Sequence, residues 1–265
     1  MKKLGIFFIL AFLSMTGVYF LLFHPTDEFV EGDLYDEILL RGKIRVGINT
    51  DSKPFGFTDK NGQIVGYDAD LAHYIAKYIV RSADRLEIVP VTPANRLMKA
   101  STGEVDIVIS TVTITPQRRE VVSFSVPYDV AGQAVLVKKN SSITALSDLA
   151  GESVGVIFGT TAEKNMKNLV PTANLRGFRN YQDAYIALKN GHINAITSDD
   201  TILKRFTVDD DSVRLLPKRY SREPYGIAFQ KGDSTVKLKE HLDYAVKDLQ
   251  RKNVIPRLRK KWELD

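Results

Sequence analysis

Val105-Asp106-Ile107-Val108-Ile109-Ser110-Thr111-Val112-Thr113-Ile114-Thr115-Pro116-Gln117-Arg118 is the stretch on which the architecture turns. Its first five residues are nearly all apolar, with no alternating polar face, which predicts a strand buried on both sides of a parallel sheet. A helix start follows, with Thr115 as N-cap and Pro116 as the first helical residue. Arg118 then falls in the first turn, beside unpaired backbone N–H groups and the positive end of the helix, where stability favours Asp or Glu. A bound carboxylate reconciles this, since it accepts both the N–H bonds and the guanidinium fork. A solvated arginine assisted by Glu120 is the alternative.

Working outward, Lys43 to Ile48 alternates as a strand, and Pro54-Phe55-Gly56-Phe57 with Asn61-Gly62 marks a loop and hairpin. Tyr67 to Ile79 has helical spacing with early aspartates, Leu86 to Val91 reads as a strand and Asn95 to Ala100 as a short helix. The alternation recurs downstream: Ser153 to Ile157 strand, Thr160 to Leu169 helix, Tyr181 to Lys189 helix, Ile193 to Ile196 strand, Asp199 to Phe206 helix. Two such blocks predict an α/β protein of two lobes with mostly parallel sheets. Phe124 to Tyr128, then Gln133 to Val137, cross between blocks in extended form, and Glu223 to Phe229 returns the same way. That predicts a two-stranded hinge, with residues 41–130 plus 226–265 as lobe 1 and 131–225 as lobe 2. Two helices, about 234–250 and 254–262, close the chain.

The chain is 44% hydrophobic and 26% charged with net charge +5, which excludes a disordered chain or a polytopic membrane protein. Lysine and arginine are dispersed, so nucleic acid is not an expected partner. Without cysteine there is no disulfide, thiolate metal site or cysteine nucleophile, and His24, His73, His192 and His241 are too scattered for a metal site. No cofactor is expected. Lys2 and Lys3 precede an uncharged apolar run over residues 4–23, long enough to cross a bilayer. Residues 1–25 therefore read as a signal peptide or uncleaved signal-anchor helix, with 26–40 as a tether or short preliminary helix. The rest is expected outside the cytoplasmic membrane, in the periplasm or on the cell surface, anchored through residues 4–23.

Two further segments carry chemistry. Thr160 and Glu163 of Gly159-Thr160-Thr161-Ala162-Glu163 match a capping box, while Gly159 and Thr161 offer free N–H groups and a hydroxyl for an anion. Asp199-Asp200 follows a strand, where carboxylates either cap the next helix or face a ligand at the carboxyl end of a sheet. Two anion-favouring helix starts and one acidic strand end describe a receptor for an α-amino acid.

From about Arg41 to Trp262 the chain resembles the family 3 extracellular solute-binding proteins, the polar amino-acid receptors of ABC importers. The motifs are Pro54 to Phe57, Gly66-Tyr67-Asp68-Ala69-Asp70-Leu71, Val105-Asp106-Ile107 through Arg118, Phe124 to Tyr128, Gly159-Thr160-Thr161 and Tyr225-Gly226-Ile227-Ala228. The resemblance implies the two-lobed, type II periplasmic-binding-protein-like fold. It puts Arg118 on the ligand's α-carboxylate with Thr113 and Thr161 as further donors, and Asp199 on the α-ammonium with backbone acceptors at Ser110 or Thr111. Asp70 and Tyr128 are structural under it, and Phe55 a wall or core aromatic. Asp51, Lys53 and Thr92 to Arg96 match the region that meets the ligand side chain. Asn95-Arg96 is similar to glutamate/aspartate receptors, yet Asn49 and Tyr181 replace an arginine and a histidine found there. Asp51 is similar to the acidic residue of glutamine and basic amino-acid receptors. Asp51 with Arg96 offers one acceptor and one donor, which suits glutamine's amide, unless the two neutralise each other.

The expected function is thus a non-enzymatic binding protein that clamps a polar L-amino acid, glutamine or glutamate first, and delivers it to an importer permease with its cytoplasmic ATPase. Two alternatives use the same fold: a sensor ectodomain, which needs a signalling partner because so little chain precedes the apolar run, and a cyclohexadienyl-dehydratase-like enzyme, for which no motif identifies the acid.

Overall fold

The computed structural model describes residues 32–264, so the apolar run at 4–23 and the start of the tether lie outside the described residues. Helix α1 (Leu34–Arg41) opens them, N-capped by Asp33, whose carboxylate accepts the Tyr35 N–H at 2.9 Å. The same carboxylate accepts the N–H groups of Lys237 and Leu238 at 2.8 and 3.2 Å, tying the segment before the first strand to a helix two hundred residues later.

Strand β1 (Ile44–Asn49) is followed by a small antiparallel sheet of β2 (Asp51–Ser52), β3 (Gly56–Thr58) and β4 (Ile64–Val65), then by α2 (Tyr67–Ile79), β5 (Leu86–Val91), α3 (Arg96–Ser101) and β6 (Ile107–Val108). A one-turn helix α4 (Pro116–Arg119) leads to β7 (Val122–Phe124) and β8 (Asp129–Ala131). The second lobe holds β9 (Gln133–Lys138), β10 (Ser153–Ile157), α5 (Ala162–Leu169), β11 (Asn174–Phe178), α6 (Tyr181–Lys189), β12 (Ala195–Asp199), α7 (Asp200–Asp209) and β13 (Val213–Leu215). The chain returns through β14 (Glu223–Tyr225) to β15 (Ala228–Gln230), α8 (Val236–Arg251) and α9 (Val254–Lys261).

Both large sheets have five strands, ordered β5-β1-β6-β15-β7 and β11-β10-β12-β9-β13. In each, four strands run in one direction and a single strand, β15 in the first and β9 in the second, runs against both of its neighbours. The sheets are therefore parallel but for one strand each, because the strand the chain adds where it crosses between the lobes runs against its neighbours. Between them β8 and β14 pair antiparallel, Ala131 opposite Glu223 and Asp129 opposite Tyr225. That pair is the two-stranded hinge.

The apolar run at 105–109 is buried on both faces. Ile107 and Ile109 pack with Leu71 and Ile75 of α2, while Val105 and Val108 pack with Ala100, Val122 and Phe124 on the other side. In β9, Leu136 faces one cluster and Val135 and Val137 another, so helices cover that sheet on both sides too. Asp106 interrupts the first run because its buried carboxylate accepts the Arg45 N–H at 2.7 Å and pairs with Arg45 and Arg41.

Candidate functional site

Arg118 sits as the sequence predicts: Thr115 is the N-cap, Pro116 the first helical residue, and Thr115 Oγ1 accepts the Arg118 N–H at 3.2 Å. The helix is a single turn of four residues, so its dipole is small and burial, not the macrodipole, makes this arginine unusual. Only 8% exposed, the guanidinium donates Nη1 to the Thr113 carbonyl at 2.9 Å and Nη2 to the Gly159 carbonyl of the other lobe at 2.9 Å. Burial and the neighbouring charge of Arg96 pull its pKa down to about 9, against the opposing pull of Asp199 and Glu223. It stays cationic at neutral pH, held by neutral carbonyls beside a second cation. An anion fits such a place better than any group now touching it.

Across the cleft, α5 begins at Ala162, its first N–H groups having no intrahelical acceptor. The capping box expected from Thr160 and Glu163 does not form. Thr160 Oγ1 donates to the Ile157 carbonyl at 2.7 Å, and Glu163 pairs with Lys167 one turn on. Thr161 occupies the cap position, yet its hydroxyl donates to Glu223 Oε2 at 3.0 Å. Glu223 also accepts Asn165 Nδ2 at 2.9 Å and Ser221 Oγ at 2.5 Å. The Thr161 side chain is thus committed to Glu223, and the turn offers an anion its backbone N–H groups. Gly159 adopts φ +80°, and a methyl built there would overlap the Pro93 carbonyl of lobe 1. The lobes meet at that glycine.

Asp199 ends β12 at the N-cap position of α7 without capping it; Oδ2 accepts the Tyr225 hydroxyl at 2.5 Å. Enclosure by protein, with Glu223 nearby, pushes its carboxyl up to about 6 although Tyr225 and Arg96 favour the ion. Asp200, by contrast, accepts the Gly132 N–H at 3.1 Å and pairs with Arg219.

Arg96, 2% exposed, donates Nη1 to the Ser110 carbonyl and, at 3.3 Å, to that of Thr111. Thr111 adopts φ +46°, and its N–H donates to Asp68 Oδ2 at 3.1 Å and to the Tyr128 hydroxyl at 3.2 Å. Asp51 Oδ2 accepts the Tyr181 N–H at 3.1 Å, so a lobe 1 carboxylate caps the start of α6 in lobe 2. Phe55 is enclosed edge-on by Tyr67 and Tyr225, with centroids 5.7 and 5.8 Å apart, supporting Tyr225 from the core. Asp70 accepts Lys261 Nζ and Trp262 Nε1 at 2.6 and 2.7 Å, which ties α2 to α9.

Asp51 Oδ1, Arg96 Nε and Ser110 Oγ are buried without a hydrogen-bond partner. Each such atom costs about 1–3 kcal/mol, and here one acceptor, one donor and one hydroxyl belong to residues singled out from sequence. Sequence reading missed Glu223 and Asp68, which join residues 58 to 62 and 43 to 60 positions away. Asp68 stands near a second aspartate at a helix start and Glu223 directly after Arg222, so neither carried a local signal of its own. Among the described residues no group of His, Cys, Asp and Glu is arranged to hold a metal.

Several known proteins resemble the chain along most of its length. It is 37% identical over 198 residues to a glutamine-binding protein of Geobacillus stearothermophilus, covering 74% of this chain and 76% of that one. A mutant of ArgBP from T. maritima superposes with TM-score 0.81 at 33% identity, over 88% of this chain and all of that one. An ancestral amino acid-binding protein, a precursor of cyclohexadienyl dehydratase, superposes with TM-score 0.79 at 36% identity, over 86% and 98%. The profile of the bacterial extracellular solute-binding proteins, family 3, matches residues 44–265, which takes in both lobes, both hinge strands and every cleft residue described above. The chain belongs to that family.

Proposed function

We propose that this protein is the receptor of an amino-acid ABC importer, closing residues 41–130 plus 226–265 and residues 131–225 on one polar L-α-amino acid. The α-carboxylate lies on Arg118 and the N–H groups at the start of α5, and the α-ammonium on Asp199 with the carbonyls at 110 and 111. The observation that carries this reading is a buried guanidinium and a half-buried carboxylate in one cleft, neither paired with the other in a direct ion pair. A zwitterion complements both, and contacts to both lobes shift the population toward closure.

Glutamine is the favoured ligand. Asp51 Oδ1 is a buried acceptor and Arg96 Nε a buried donor, each without a partner, and a primary amide supplies the converse pair. Relatives named as glutamine-binding support the choice. Arginine is second, because the free Asp51 oxygen also accepts from a guanidinium and ArgBP is similar in fold. The apolar run at 4–23 supports a membrane tether that keeps the receptor beside its permease.

Calorimetry of the purified protein against the L-amino acids tests this. Submicromolar to micromolar binding of glutamine, abolished by Arg118→Ala and by Asp199→Ala, is the expected result; tight binding that survives both variants refutes it. Incubation with prephenate or arogenate is expected to give no product, and turnover would replace binding by catalysis.

A further inference from the structure

Thr111 is a β-branched residue at φ +46° and is only 5% exposed. Among the described residues, the other non-glycine residues with positive φ, Arg81, Asn253 and Glu263, are exposed. Left-handed backbone disfavours a branched side chain, so surrounding contacts must hold it. Those contacts are specific. The Thr111 N–H donates to Asp68 Oδ2 at 3.1 Å and to the Tyr128 hydroxyl at 3.2 Å, while that hydroxyl donates to Asp68 Oδ1 at 3.0 Å. Asp68 is 1% exposed, and no salt bridge among the described residues includes it, so both its oxygens serve this one turn. The turn in turn brings the carbonyls of Ser110 and Thr111 to a single nitrogen of Arg96.

We propose that Asp68 and the Tyr128 hydroxyl form a clamp that holds Thr111 left-handed and thereby aims two successive carbonyls at Arg96, making Asp68 a positioning residue for ligand recognition. Asp68 touches no ligand; it acts through the backbone of residue 111. The cost of burying its carboxylate beneath α2 is matched by the geometry it fixes, since a relaxed Thr111 would turn one carbonyl away and free the guanidinium to swing. The inference rests on the amino-acid-binding reading for its functional consequence, while the clamp itself is a structural claim that can be measured without a ligand.

The test is a cycle of Asp68→Ala, Thr111→Gly and the double variant, with Tyr128→Phe and its Thr111→Gly double as a milder pair in case Asp68→Ala does not fold. Glycine adopts the left-handed turn unaided. Asp68→Ala is therefore expected to weaken L-glutamine binding by at least about tenfold, and adding Thr111→Gly to restore it to within about threefold. The ratio of affinities for L-glutamine and L-alanine should fall and recover in parallel, because the clamp acts through Arg96; a merely structural loss would shift both amino acids alike. In thermal unfolding without ligand, Thr111→Gly should raise Tm more in the Asp68→Ala or Tyr128→Phe background than in the wild type. Equal Tm shifts in both backgrounds, or lost affinity that glycine fails to restore, overturn the clamp. Should the wild type bind no amino acid, the receptor reading fails while the Tm cycle still decides the clamp.

Discussion

Lowering the pH should release the ligand chiefly through Asp199, while Asp68, pushed up to about 7 by burial, acts on the site only through Thr111. The Asp199 carboxyl is pushed up to about 6 by burial, with repulsion from Glu223 added. An ammonium ion binds the ionised form, so affinity follows the ionised fraction of Asp199. With a pKa of about 6, that fraction is about nine-tenths at pH 7 and about one-tenth at pH 5, a tenfold loss of affinity or about 1.4 kcal/mol. The α-carboxylate and α-ammonium of the ligand keep their charges across that interval, and Arg118, pulled down only to about 9, does too. Calorimetry with L-glutamine at half-unit steps from pH 5 to 8 should show Kd rising as pH falls through about 6. Proton release on binding should be largest below that midpoint. The same raised value acts in the other direction on folding: the ligand-free fold holds a proton that the unfolded chain gives up, so this contribution to stability is present below about pH 4 and lost as pH rises through about 6. Asp199→Asn should remove the limb centred near pH 6 along with most of the affinity, leaving only the dependence that Asp68 adds near pH 7, and at pH 8 it should unfold no lower in temperature than the wild type. A Kd that stays flat between pH 5 and 8, or a limb centred near pH 6 that persists in Asp199→Asn, would refute the assignment of the ammonium to this carboxylate.

Other perturbations separate the remaining parts of the site. Gly159→Ala puts a methyl against the Pro93 carbonyl at a left-handed position, so ligand affinity should drop by at least about tenfold, and small-angle scattering should show an open form at saturating glutamine; normal closure would count against the contact. Arg118→Lys keeps the charge and loses the planar fork that reaches two carbonyls, so binding should weaken by roughly 10–100-fold with Tm little changed. Glu223→Ala leaves Thr161, Asn165 and Ser221 without their common acceptor; it should cost about 2–3 kcal/mol in urea unfolding, and an unchanged midpoint would make that network dispensable.

Periodicity disclosed the parts of the fold whose burial is one-sided or complete. The helices at 67–79 and 181–189 and the strands at 86–91 and 153–157 are where the sequence places them, because their apolar spacing reports a single geometry. The two edge strands of the second sheet did not announce themselves. Asn174-Leu175-Arg176-Gly177-Phe178 is mostly exposed, and Val213–Leu215 is only three residues long, so neither carries a pattern distinct from loop. Within the site, Arg118 was legible because Thr115 and Pro116 fix a helix start beside it, and Asp199 because it ends an apolar strand. Thr161 was read as a donor from its position, but a hydroxyl's partner is a question of tertiary structure, and Glu223 arrives from 62 residues away. Asp51 was read as a side-chain contact, and its bond to Tyr181 across the lobes depends on a closure that no local pattern encodes.

The short returning strand β14 gives the molecule a division of labour. Glu223 and Tyr225 alternate onto one face of it, the first holding Thr161 and Asn165, the second holding Asp199. In the proposed mode, Thr161 and Asp199, which would meet what every amino acid shares, are thus braced from the element that bends, while Asp51 and Arg96, which would meet what differs between amino acids, are carried by β2 and α3 of lobe 1. A substitution at Arg96 would then retune taste without touching β14, whereas Asp51, which also bonds Tyr181 across the lobes, couples ligand choice to closure.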